Sequence, residues 1–131
     1  MSIPVTLERL REEILGFAST ATYLLTVSDD GRPHSVAVVP AWHGDELVMA
    51  AGNRSVRNAA ARPSVSLVWA PGEAGGYSLI VDATVTATVG TGAGDNSVTV
   101  QPTNAVLHRP AASPDAASPG CGSDCVPLLR T

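Results

Sequence analysis

Gly52-Asn53-Arg54-Ser55-Val56-Arg57-Asn58-Ala59-Ala60-Ala61-Arg62-Pro63 lies between two apolar runs, residues 46–51 and 64–70. Both runs have the length and side-chain content of β-strands. Gly52 permits a sharp exit from the first. Asn53 or Ser55 offers an oxygen to cap the first free backbone N–H groups of a helix. Pro63 stops that helix, because it lacks an N–H and pushes the preceding residue out of the helical region. The stretch is therefore expected to hold one short helix, about 55–62, linking two strands.

The same stretch suits an anion. Free N–H groups and the positive end of the helix dipole meet at the helix start. Arg54 and Arg57 lie three residues apart, so on a helix they share a face; Asn58 and Arg62, four apart, form a second such pair. A guanidinium offers forked donors that match a phosphate, and Ser and Asn add neutral ones. A short polar helix between strands also carries arginine simply because it is solvated. Both readings stay open on this stretch alone.

Outward from it, the chain reads as one domain of hairpins. Its 131 residues suffice to bury roughly two thirds of the unfolded surface. Hydrophobic residues make up 44% but include a single Phe, so Val, Ala, Leu and Ile must build the core. Residues 6–18 are expected to be a helix whose Leu7, Leu10, Ile14 and Phe17 form one apolar stripe flanking or plugging a sheet. Residues 21–28 and 34–42 are apolar runs joined through Asp29-Asp30-Gly31-Arg32-Pro33, a hairpin signal. The second run is apolar on both faces, which predicts a strand that is central or covered on both sides. Pro40 marks a bulge or an opening in its ladder. After the central stretch, residues 77–89 alternate Leu79, Val81, Ala83, Val85, Ala87 and Val89 with polar neighbours, the clearest period of two in the chain. Residues 90–96 read as a turn, and 97–108 as a last strand interrupted by Pro102. The glycine-rich loop at 71–76 precedes a strand, not a helix, so it is no dinucleotide fingerprint. The expected fold is mainly β with short helices: six antiparallel strands in a closed or nearly closed barrel within residues 1–110.

Composition excludes several functions. A net charge of -4 argues against nucleic acid as a general partner. All eight basic residues are Arg. There is neither a signal-peptide pattern nor an apolar run long enough to span a membrane, so a cytoplasmic protein is expected. Cys121 and Cys125 are the only cysteines and stand without a neighbouring His, a poor zinc site, and no metal is expected. Residues 111–131 are rich in Ala, Ser, Pro and Gly and read as a flexible tail.

Thr26-Val27-Ser28-Asp29-Asp30-Gly31-Arg32-Pro33-His34 resembles the T-x-x-x-D-G-x-P-H hairpin of the pyridoxamine 5'-phosphate oxidase-like split β-barrels. Gly44-Asp45-Glu46-Leu47-Val48, then Ser55-Val56-Arg57-Asn58 and Arg62-Pro63-Ser64-Val65-Ser66-Leu67, is similar to that family's next segment. The likeness runs from about residue 6 to 110. It implies a homodimeric split barrel that binds FMN, or alternatively the deazaflavin F420, between its subunits. By position Ser55, Arg57 and Asn58 match the family's phosphate contacts, with Asn53 and Arg54 beside them. Val38, Val39 and Pro40 match backbone facing the ring system. His34, Trp42, Trp69 and Tyr77 are candidates for the substrate side, although Trp42 and Trp69 suit a core or dimer contact better. The family often has Lys where Arg57 stands. The long C-terminal segment of true pyridoxamine phosphate oxidases is missing, which argues against that specific activity. The resemblance implies hydride transfer between cofactor and a small molecule and requires no catalytic side chain. The alternative is a non-catalytic module that holds a flavin, haem or tetrapyrrole.

Overall fold

The computed structural model of the protein describes residues 1–90 and 95–111. The chain runs β1 (Ser2–Val5), α1 (Leu7–Leu15), β2 (Thr22–Val27), β3 (Pro33–Val38), β4 (Ala41–His43), β5 (Glu46–Ala50), α2 (Asn53–Ala61), β6 (Ser64–Trp69), β7 (Ser78–Val89) and β8 (Ser97–His108). All strands join one antiparallel sheet in the order β3-β2-β6-β7-β8-β5-β4, with β1 also on β8. Cys121, Cys125 and the expected tail lie outside the described residues. Among the described residues no helix is long and apolar enough to cross a membrane.

The two end strands of this sheet are neighbours in sequence. Only Val39 and Pro40 separate β3 from β4. Three Cα steps reach at most about 11 Å, so the sheet must curl until its ends nearly meet. The result is a half-barrel whose seam lies at Pro40, where the ladder was expected to open. A proline there withholds the N–H that a continuous strand would need.

Among the described residues eight strands therefore stand where six were expected. Pro40 divides one expected strand into β3 and β4. The other addition, β1, is only four residues long and pairs with β8 across the whole domain, Ser2 opposite His108. Such a strand owes its existence to its partner rather than to a local pattern. The expectation that the strand carrying Val39 is central or covered on both sides also fails within one chain. β3 is an end strand, and Val39 is 86% exposed.

The core fills the concave side. One row runs through Val36, Leu24, Leu67, Val81 and Ala105, each opposite the next. Leu24, Leu67 and Val81 are fully buried there. Leu10 of α1 enters this core, as do Val56 and Ala59 of α2. The alternation of β7 holds through Ala83 and then slips. Val85 faces Val100 and Ala87 faces Thr99, leaving Thr86 as an extra residue in a bulge. Ala87 and Val89 are consequently exposed while Thr88 is half-buried. A second irregularity leaves Thr103 as the extra residue beside Pro102, so β8 passes through its proline without ending.

The convex side carries a second apolar row: Ala37, Tyr23, Val68, Ile80 and Val106, again strand to strand. Its middle members are half-buried and Tyr23 is 41% exposed.

Candidate functional site: an arginine-lined cleft

Helix α2 closes one end of the half-barrel. Ser55, Val56, Asn58 and Ala59 form its buried stripe, while Arg54 and Arg57 occupy the exposed face. The cap residue is Gly52, extended at φ -77 and ψ 174, and no side chain caps the helix. Neither Asn53 nor Ser55 does what its type suggested: Asn53 Oδ1 instead accepts from Asn96 Nδ2. Val56 N–H is the first to bond back along the helix, to Gly52 O at 3.0 Å. The N–H groups of residues 53–55 thus have no intrahelical acceptor.

Two polar residues on the buried stripe set the position of α2. Asn58 is only 3% exposed, and its Nδ2 donates to Thr26 Oγ1 at 3.1 Å and Ser28 Oγ at 3.2 Å. The helix is thereby tied to the end of β2. Ser55 is 1% exposed, and its Oγ has no hydrogen-bond partner among the described residues. A buried hydroxyl without a partner carries a desolvation cost, which is unusual away from a functional position.

Between α2 and the β2–β3 turn lies an open cleft of about 470 Å³. Arg54, Arg57 and Asn58 line it from the helix; Ser28, Asp29, Asp30, Arg32, Pro33 and His34 line it from the hairpin. Gly31 makes that turn possible with φ 85. Both hairpin carboxylates are already engaged. Asp30 meets Arg32 Nε at 3.6 Å and accepts from its backbone N–H at 3.1 Å. Asp29 accepts from Arg62 Nη2, and Arg62 Nε donates to Val27 O at 2.8 Å. Arg54 and Arg57 have no ion pair among the described residues. The cleft thus presents two unpaired guanidinium groups, and its own negative charge is neutralised. His34 sits opposite Thr26 on the ladder, half-buried, and its Nδ1 has no hydrogen-bond partner among the described residues.

Of the residues singled out in sequence, Arg54, Arg57, Asn58 and His34 come together in this cleft. Ser55 lies buried in the first turn of the same helix. Val38 is in the core four residues along β3 from His34, roughly 13 Å away. Val39 and Pro40 follow at the seam. Among the described residues β3 pairs only with β2, so its other edge presents backbone groups that no described strand pairs. The remaining aromatics are elsewhere. Trp69 is a core residue, 3% exposed. Trp42 packs against the core beneath Arg11, whose guanidinium lies 4.3 Å from its ring centre. Tyr77 contacts Met1 Sδ at 3.4 Å and stacks with Arg109. The hairpin's contribution, Asp29, Asp30 and Arg32, was not anticipated. Its sequence signal, an Asp-Asp-Gly-Arg turn, also has a sufficient explanation in turn chemistry alone.

No family model matches the chain. The uncharacterized protein Mb0449c of Mycobacterium bovis is 42% identical over 118 residues, covering 79% of this chain and 82% of that protein. MT0457, an uncharacterized protein of Mycobacterium tuberculosis, matches with the same figures. Among solved structures, a putative pyridoxamine 5'-phosphate oxidase from Listeria innocua superposes with a TM-score of 0.59 at 13% identity, over 75% of this chain and 97% of its own. An F420 reductase gives 0.56 at 22% identity, over 71% and 94%. The haem storage protein HutZ of Vibrio cholerae gives 0.57 at 19%, over 77% and 95%. An FMN-binding protein of Syntrophomonas wolfei subsp. wolfei gives 0.55 at 14%, over 77% and 95%. The chain therefore belongs to the family of the two uncharacterized mycobacterial proteins, and it has the split β-barrel fold of these solved structures.

Proposed function

We propose that this protein binds a phosphorylated flavin, FMN or the deazaflavin F420, and uses it as an oxidoreductase on a small molecule. The observation that carries this reading is the pair of unpaired guanidinium groups, Arg54 and Arg57, in a cleft whose carboxylates are both engaged. The donor set fits a phosphate. Arg54 and Arg57 bring charge, residues 53–55 bring backbone N–H groups, and Ser55 Oγ is an unused polar atom in the same turn. Asn58 holds the helix in place and lines the cleft. The free edge of β3, ending in Val38, Val39 and Pro40, would receive the ring system. The bound flavin would supply the hydride chemistry. The protein's own part is to grip the anion in the cleft that His34 also lines and to orient the ring against β3.

The reading includes a homodimer. The convex apolar row and the 86% exposure of Val39 support it, because the described residues leave the row half-covered and Val39 almost bare. A second subunit would bury them and would wall the ring site.

The fold neighbours that bind FMN and F420 agree with this cofactor class, and the haem storage neighbour marks the alternative of a non-catalytic binding module. His34 is the histidine that lines the cleft and would hold the haem iron in that case. Titration of the purified protein with FMN, F420 and haem in turn separates these. Saturable quenching of flavin or deazaflavin fluorescence is expected. A Soret shift that His34→Ala abolishes, with no response to either flavin, would replace this reading by the haem one.

A further inference from the structure

We infer that Arg62 is a positioning residue that holds Asp29 away from the anion-binding arginines of the cleft. The inference rests on the anion-binding reading given above and extends it to charge control of the same site.

Arg62 stands just past the last turn of α2 and does not line the cleft. Its backbone N–H closes the helix on Asn58 O at 2.8 Å, a bond that any residue but proline could make. Its side chain does something more specific. Nε donates to Val27 O and Nη2 to Asp29 Oδ1, so the guanidinium bridges two points of the hairpin arm on either side of Ser28. Exposed ion pairs of this kind contribute little to stability, and the Asp29 side chain is 79% exposed. Their effect on a neighbouring charge is another matter. Asp29 lines the same cleft as Arg54 and Arg57. A free carboxylate there would pair with one of them or repel an incoming phosphate. With Arg62 engaging it, Asp29 does neither. The other hairpin carboxylate, Asp30, is held in the same way by Arg32. Two arginines thus silence two carboxylates, and two more are left for the ligand.

The test is a four-way comparison of the full chain by isothermal titration with inorganic phosphate at low ionic strength, in parallel with FMN. Arg62→Gln is expected to weaken phosphate binding about threefold to tenfold, since Asp29 is released into the cleft. Asp29→Asn alone should leave it within about twofold of wild type, since Arg62 already holds that carboxylate. The double variant should bind like Asp29→Asn, within about twofold of wild type, because Arg62 then has no carboxylate left to hold. That rescue cannot come from a residue that merely supports the fold, nor from one that touches the anion itself. A double variant as weak as Arg62→Gln would overturn the inference. Wild-type protein that binds no phosphate would overturn it together with the anion-binding reading. The expected phosphate pattern without any binding of FMN or F420 would leave Arg62 in this role and remove only the flavin.

Discussion

Replacing Arg57 by Ala removes one of the two unpaired guanidinium groups from the cleft and leaves the rest of the chain as it was. Arg57 is exposed, belongs to no ion pair among the described residues and packs into no core. The substitution therefore acts on the ligand rather than on the fold, and Ala is the best helix former available. A charge-assisted hydrogen bond contributes about 1.5–3 kcal/mol. Solvent around an exposed side chain screens part of that, so about 2 kcal/mol is a fair figure, or roughly thirtyfold in Kd. Arg57→Lys keeps the charge but loses the fork, and should fall between. Added salt should narrow the gap between wild type and Arg57→Ala, because part of the lost attraction is screened Coulomb energy. The control is Arg9→Ala on α1, whose partner Glu12 lies 3.7 Å away on an open surface. Fluorescence titration with FMN or F420 reads all of these. A Kd for Arg57→Ala within twofold of wild type, or an equal loss from Arg9→Ala, would refute the placement of the anion.

Asn58→Ala strips the donors from Thr26 Oγ1 and Ser28 Oγ and should cost about 1–3 kcal/mol in urea unfolding, with cofactor affinity falling as α2 loosens. Gly90→Ala places a Cβ 2.8 Å from Val56 Cγ1, so Val56 and its helix must shift. A loss of about 1–3 kcal/mol by thermal or urea unfolding is expected. Ile80→Asp on the convex row should convert a dimer into a folded monomer in sedimentation, because a charge would have to be buried between subunits. Leu67→Ala, by contrast, empties a fully buried position on the concave side and should cost about 2–5 kcal/mol whatever the oligomeric state.

Much of the fold was legible where local chemistry and tertiary need agree. Gly52 and Pro63 bracket α2, whose described span, Asn53–Ala61, begins two residues earlier than expected. The alternation of β7 marks its buried side until the bulge at Thr86 reverses the phase. A bulge inserts one residue into one strand and leaves no composition signal. β1 was illegible because four residues carry too little pattern, and its partner lies a hundred positions away. Val39 misled because an apolar residue on a sheet edge looks the same whether its cover comes from its own chain or from another.

The site divides in the same way. Arg54 and Arg57 could be seen together because helical spacing puts residues three apart on one face. Arg62 and Asp29 lie 33 residues apart, and nothing local joins them. Each had a sufficient local role, one ending a helix and the other opening a turn. Only the packing of α2 against the hairpin brings them into one charge network. Trp69 was ambiguous because a large ring suits a ligand wall and a core alike, and here the core takes it.

The account turns on the phosphate as the anchor, and two ligands that differ only by that group test it most directly. Wild-type protein should bind FMN about a hundredfold more tightly than riboflavin, as two guanidinium contacts of about 1.5 kcal/mol each imply. For a deazaflavin, F420 should exceed its chromophore without the phosphodiester by a similar factor. Equal affinity within either pair would mean that the arginine cleft is not where the cofactor is held.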